Sequence, residues 1–429
     1  MTLPAPTRER ISASFVLLLA ALTAIGPLTI DLYLAAFPQI VTELGTTDAR
    51  VQLTMTATLA GLAVGQLLLG SLSDAYGRRR PLLIALAVYV VTSVAIIGIG
   101  SIELLTVARV VQGLSGAAGM VLAMAVVRDS YSGIGMSRVI SRLMLVVGVA
   151  PILAPTIGAQ ILRFGSWRTM FGVLALFGVM LFVLAAFFLK ETLPRAARRT
   201  GGTRAALASY RSLVTDWSFI GVVLMGAFYM GAMFAYVASS TFVFQEGFQL
   251  SASEFGYIFG AGALAVTIGS QINGALVSRF RPERIVTTAI AVGWVLSIAL
   301  FVVASTVSAH GSGLLPLVAL LVPTLGTVGF VMPSVPAIVL EHNGHRAGSA
   351  AALNGAMGFV MGALISPVSS LFGGGPTAMA GVMFGVITIS GVLLLAVRRG
   401  WASTSTAAVP APVLAELDDL DEQVEPARP

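Results

Sequence analysis

Acidic and basic residues are so thinly spread through this 429-residue chain that the gaps between them dictate its fold. Runs without aspartate, glutamate, lysine or arginine cover 51–73, 81–102, 143–162, 169–189, 217–245 and 255–278. Each matches the ~20 apolar residues that a helix needs to cross hydrocarbon. Another apolar run extends from Ile11 to Ile30, is interrupted by Asp31 and resumes through Phe37, and a further one at about 104–127 holds the lone Arg109. The interval 285–340 is too long for one crossing and breaks at the polar stretch from Ser305 to Gly313, while 347–397 breaks at Gly373-Gly374-Gly375-Pro376. The pattern predicts an all-α membrane protein of twelve transmembrane helices. Composition agrees: 57% of residues are hydrophobic and 10% charged, against about 25% charged in soluble domains. That excludes a soluble enzyme, a nucleic-acid binder and a disordered scaffold.

The basic residues orient the spans. With the N-terminus inside, 21 of the 25 fall in cytoplasmic segments, three (Arg50, Arg163, Arg168) lie outside and Arg109 lies within a span. Both termini are therefore expected to be cytoplasmic. The first run is read as a span, because removing it as a signal peptide would leave an odd number of crossings. The longest internal polar segment, 190–217, separates two six-helix halves at 14–189 and 218–398. Residues 1–13 form a cytoplasmic N-terminal segment, and 399–429 form an acidic cytoplasmic tail that is expected to be disordered. The halves resemble each other faintly: Gly65, Gly70 and Leu72 recur as Gly269, Gly274 and Leu276, and Pro155 in the fifth span has a helix-internal counterpart in Pro367. Paired halves around a central site are a common transporter design. The spacing of Gly61 and Gly65 marks close helix packing.

Several chemistries are missing. The single lysine, Lys190, lies in Phe188-Leu189-Lys190-Glu191-Thr192, which has none of the glycines of a phosphate-cradling loop, so ATP is excluded as a direct driver. No cysteine is available for disulfides or thiolate chemistry. His342 and His345 beside Glu341 are not a metal ligand set. No catalytic residues, metal or cofactor are expected.

Asp31 and Arg109 are the two acid–base side chains well inside spans, where such groups usually face a cavity or each other. Each lies about six residues, roughly 9 Å, from the outer end of its span. Desolvation favours the neutral carboxyl and a nearby guanidinium favours the carboxylate. The pair suits a proton-coupling site, with a static ion pair that fixes helix packing as the less favoured alternative. One proton moving through 100 mV supplies about 2.3 kcal/mol. At about 1.36 kcal/mol per tenfold ratio, a single carboxylate sustains roughly a 50-fold gradient of a neutral solute.

Between the second and third spans the chain reads Gly70-Ser71-Leu72-Ser73-Asp74-Ala75-Tyr76-Gly77-Arg78-Arg79-Arg80. This resembles the signature loop of the major facilitator superfamily, departing only at the first basic position, Ala75. Arg109-Val110-Val111-Gln112-Gly113 is similar to the Arg-x-x-Gln-Gly element of its drug/proton antiporters. Pro151 opens a stretch in which Ala154-Pro155-Thr156-Ile157-Gly158-Ala159 is similar to their Gly-Pro-x-x-Gly-Gly element, with alanine at its first and last glycines. Leu28-Thr29-Ile30-Asp31-Leu32-Tyr33-Leu34 resembles the bicyclomycin/chloramphenicol-resistance (Bcr/CflA) branch.

The resemblance implies the twelve-helix fold in two halves and proton-driven export of amphipathic drugs, with Asp31 as proton site and Arg109 as its partner. It also implies a cytoplasmic latch of Gly70, Asp74, Gly77 and Arg78, with Asp129 as the partner of Arg78, that holds the halves closed. Candidate substrate contacts are Tyr33, Gln112, Met120 and Met124, with Tyr229, Met233 and Tyr236 on one face of the seventh span and Asn354 and Met357 on the eleventh. The expected partners are a small amphipathic substrate and the lipid bilayer, without nucleic acid or ATP. The coupling ion is the proton, and the protein is expected to be a monomer in a bacterial inner membrane. Export of an endogenous metabolite and, less favoured, uptake by symport stay open as alternatives.

Overall fold

The computed structural model describes residues 13–198, 202–306, 313–343 and 346–404. The expected N-terminal segment up to residue 12, His345 and the tail from 405 onwards lie outside them. Twelve helices are long and apolar enough to cross a membrane: Ala13–Glu43, Asp48–Tyr76, Arg79–Ile97, Ile102–Ser130, Gly135–Phe164 and Trp167–Phe188, then Trp217–Gly247, Ala252–Leu276, Pro282–Thr306, Leu314–Glu341, Ala347–Leu371 and Gly375–Arg398. They are called the first to twelfth spans. Their outer faces carry large apolar side chains such as Leu17, Ile84, Val91, Leu176 and Phe187, each more than 60% exposed. A surface of that kind is stable against lipid and not against water.

Polar side chains set the helix ends. Ser101 accepts a hydrogen bond from the Leu104 N–H at the start of the fourth span. Ser251 and Glu254 form a capping box on the eighth, and Asp216 accepts the Ser218 N–H at the head of the seventh. These partners satisfy backbone donors that the helix leaves open. Between the second and third spans the chain turns at Gly77, whose φ of 91° favours glycine.

Four sequence expectations are corrected here. The first span does not finish near Phe37: its α-helix ends at Asp31, a 3-10 turn covers Leu34–Ala36, and a second helix runs from Phe37 to Glu43. Pro367 is not helix-internal. The helix Ala347–Ile365 stops before it and Val368–Leu371 begins after it, as expected for a residue without an N–H whose ring clashes with the preceding turn. Pro151 and Pro155 do lie inside a helix, Gly133–Phe164. The last helix runs on to Thr404, six residues into the expected tail, and the expected linker contains a helix of its own, Gly202–Val214.

Within each half the close contacts correspond. A Cβ on Gly65 would meet the Leu114 carbonyl of the fourth span, and one on Gly269 would meet the Gly326 carbonyl of the tenth. The faint repeat in the sequence thus marks one packing contact made twice. Between halves, the second span packs on the eleventh and the fifth on the eighth. Thr267 Oγ1 donates to the Gly148 carbonyl at 3.1 Å, and Thr156 Oγ1 to that of Gly256 at 3.4 Å.

Candidate functional site

Arg109 is fully buried, and its guanidinium is held by the first half. Nη2 donates to the Thr29 carbonyl at 2.8 Å and Nη1 to Gln112 Oε1 at 2.5 Å. The guanidinium carbon lies 4.1 Å from the Tyr33 ring centroid, a cation–π distance. Further hydrogen bonds fix these partners. Gln112 Nε2 donates to Ser93 Oγ at 2.8 Å, Thr29 Oγ1 meets Tyr89 Oη at 2.7 Å, and Tyr33 Oη meets Thr54 Oγ1 at 3.0 Å.

Asp31 does not join this network. It is 5% exposed, and no ion pair or hydrogen bond links its carboxylate to a partner among the described residues. The expected Asp31–Arg109 pair is therefore absent from this conformation. Helix geometry gives the reason. Arg109 takes the Thr29 carbonyl and the ring of Tyr33, which lies just past the helix end, whereas the Asp31 side chain is turned about 200° from that of Thr29. Tyr236 of the seventh span is 3% exposed, stacks on Phe259 with ring centroids 5.4 Å apart, and has no hydrogen-bond partner for its hydroxyl among the described residues.

The remaining candidates divide. Tyr229 is sealed inside the second half, its hydroxyl 2.7 Å from Thr327 Oγ1 and 3.2 Å from the Ala289 carbonyl. It leaves no polar group for a ligand. Met120 packs on Gly26, where its sulfur fills the gap between the first and fourth spans. Met124, Met233, Asn354 and Met357 are half-buried. Gly158 lies against the Leu32 carbonyl, so the stretch containing Pro151, Pro155 and Gly158 abuts the break that follows Asp31.

The loop after the second span forms a separate charged cluster. Arg78 donates through Nη1 to Asp74 Oδ1 at 2.5 Å and to Ser73 Oγ at 2.7 Å, and through Nε to Asp129 Oδ2 at 2.8 Å. Gly70 borders Val121 of the fourth span. Glu191, which the motif does not include, accepts the backbone N–H of Arg78 at 2.7 Å and of Arg79 at 3.3 Å. A Cβ on Gly77 would occupy the Glu191 carboxylate. Burial alone would raise the Glu191 carboxyl, but the N–H groups of Arg78, Leu193 and Arg79, together with Arg198, hold it below its ordinary value. This cluster ties the first half to the start of the linker. Among the described residues, none of the ion pairs or hydrogen bonds of Asp74, Arg78 or Asp129 crosses to the second half.

The halves are joined instead at the opposite end. Thr241 Oγ1 donates to the Leu34 carbonyl at 3.0 Å, Gln245 Nε2 to that of Ala35 at 3.2 Å, and Ser370 bonds to Gln52. Counting charges passes over these residues because all of them are neutral.

Residues 19–367 match the family described as Major Facilitator Superfamily. The chain belongs to that superfamily. A relative described as "Uncharacterized MFS-type transporter YdgK", from Bacillus subtilis, is 37% identical over 382 residues, 88% of this chain and 93% of its own. One named "Bicyclomycin resistance protein homolog", from Haemophilus influenzae, is 28% identical over 82% of this chain and 87% of its own. A "Multidrug resistance protein MdtL" from Klebsiella pneumoniae is 27% identical over 66% of this chain and 73% of its own. Two solved structures share the fold. A D-xylose-proton symporter aligns with a TM-score of 0.66 at 14% identity, covering 89% of this chain and 96% of its own. The nucleoside transporter NupG aligns with a TM-score of 0.67 at 15% identity, covering 90% and 98%. This superfamily transporter is a multi-pass membrane protein.

Proposed function

We propose that this protein is a proton-coupled antiporter of the Bcr/CflA branch, exporting amphipathic drugs across a bacterial inner membrane by alternating access. The observation that carries this reading is the buried carboxylate of Asp31, placed at a helix break and paired with nothing among the described residues. An intramembrane acid in such a place is a functional site by default. The relatives named for bicyclomycin and multidrug resistance support drugs as the cargo.

A proton reaches Asp31 from outside and displaces drug bound beside it. The halves rock, and the proton leaves towards the cytoplasm. Arg109 acts as a positioning residue: by holding the Thr29 carbonyl it fixes the end of the helix that presents Asp31. The arginine-rich loops face the cytoplasm, which makes the end joined through Thr241, Gln245 and Ser370 the closed outer end. The protein works as a monomer, with the proton as coupling ion and no other cofactor.

The test is a drug-susceptibility panel, including chloramphenicol-like and bicyclomycin-like compounds, in a pump-deficient bacterium expressing the wild type or Asp31→Asn at matched membrane levels. Resistance that Asp31→Asn abolishes is the expected result. Resistance that survives the substitution overturns Asp31 as the proton site. Should neither protein confer resistance, export of an endogenous metabolite takes the place of drug efflux.

A further inference from the structure

We infer that Tyr236 is the second half's partner for Asp31: when the carboxylate is ionised during the cycle, the Tyr236 hydroxyl donates a hydrogen bond to it. The inference rests on the reading of Asp31 as the proton site and adds the group that lets the other half sense its charge.

Register places the two residues at similar depth on neighbouring elements of the two halves. The first and seventh spans run parallel, and they are pinned by the bond from Thr241 to the Leu34 carbonyl. Asp31 lies three residues before Leu34 and Tyr236 five before Thr241, about 4.5 Å and 7.5 Å along the two axes. The two residues therefore differ in depth by only about 3 Å. Both groups are also unspent. The Tyr236 hydroxyl is buried without a partner, and Asp31 has none among the described residues. A buried hydroxyl left unsatisfied is costly, so its retention calls for a state in which it is used.

Most of the other ionisable groups around Asp31 are committed elsewhere, although Arg109 keeps one buried N–H, at Nε, without a partner among the described residues. Arg109 on the fourth span is bonded to Thr29 and Gln112, Tyr89 on the third to Thr29, and Tyr33 on the first to Thr54. The second, fifth and sixth spans contribute no ionisable side chain over 51–73, 143–162 and 169–189. On the seventh span, Tyr229 is tied to Thr327. On the eighth, Tyr257 is 67% exposed. A hydrogen bond from Tyr236 to the ionised carboxylate joins the halves, and protonation of Asp31 releases it. Proton binding thereby becomes a change in the contact between halves.

The test uses the full-length protein in lipid nanodiscs. Infrared titration follows the protonated-carboxyl band, identified as the one that Asp31→Asn removes. Tyr236→Phe keeps the ring stacked on Phe259 and deletes only a hydroxyl with no partner here, so the variant is expected to fold. Loss of a donor to the anionic form disfavours that form. The Asp31 midpoint should therefore rise by about one pH unit, a tenfold tighter hold on the proton. An unmoved midpoint overturns the inference. So does a change confined to the half-saturating drug concentration, which would make Tyr236 a substrate contact alone. If Asp31→Asn removes no titrating band, the proton-site reading itself fails and this inference falls with it.

Discussion

At Gly113 a single methyl group has nowhere to go. A Cβ there would meet the Thr58 backbone, with Thr58 C at 3.0 Å and Cα at 3.1 Å. Backbone atoms of a packed helix cannot swing aside as a side chain does, so the second and fourth spans would have to separate. Overpacking of this kind costs about 1–3 kcal/mol. Gly113→Ala should lower the unfolding temperature of the detergent-solubilised protein. Gly274→Ala should leave it unchanged or raise it slightly, because nothing lies within 4 Å of a Cβ there and alanine is favoured over glycine in a helix by about 1 kcal/mol. Equal behaviour of the two variants would refute the packing argument. Sequence reaches this scale unevenly. Gly113 is visible as part of a motif, and depth along two spans places Asp31 level with Arg109. Depth says nothing about direction, however. Arg109 takes the Thr29 carbonyl and the Tyr33 ring, and the two-residue step from Thr29 turns the Asp31 side chain away.

At the scale of elements, Glu191 caps a helix to which it does not belong. Its carboxylate accepts the N–H groups of Arg78 and Arg79 at the start of the third span, where orphan donors and the helix dipole both favour an anion. Its pKa is lowered in the folded protein. The stabilisation is thus fully present above the ordinary glutamate value and is lost as pH falls through the depressed one. Glu191→Gln should unfold at a lower temperature than wild type near neutral pH, by an amount equivalent to about 1 kcal/mol. The gap should close in acid, where the protonated wild-type side chain resembles the amide. A gap that is constant with pH would remove the charge from the explanation. Nothing in the sequence marks Glu191, one acid in a mostly basic linker, because its partner lies more than a hundred residues away. The spans are legible for the opposite reason: in lipid, one misplaced charge is costly enough to betray each boundary. The helix Gly202–Val214 gives no such signal, since it lies in the charged linker and no run of apolar residues announces it.

For the whole molecule, the two halves meet at one end through neutral polar groups, while the charged cluster of Arg78 stays within the first half. The proposed alternating access requires such an end contact to break and reform. Its members Gln52, Thr241, Gln245 and Ser370 are invisible to a search for charges, yet on the proposed mechanism their bonds are among those that have to open. The absence of cysteine makes this directly testable. With Gln52→Cys and Ser370→Cys, the two introduced thiols are the only ones in the protein. Their parent side chains are hydrogen-bonded between the second and eleventh spans, so a short, cleavable thiol-to-thiol reagent should link them in native membranes. Linkage should arrest drug-driven proton movement in vesicles, and cleavage of the reagent should restore it. Neither single-cysteine variant should respond. Undiminished turnover in fully linked protein would show that these ends never part, and the moving contact would then have to lie at the other end, where Arg346 donates to Ser212 of the linker helix.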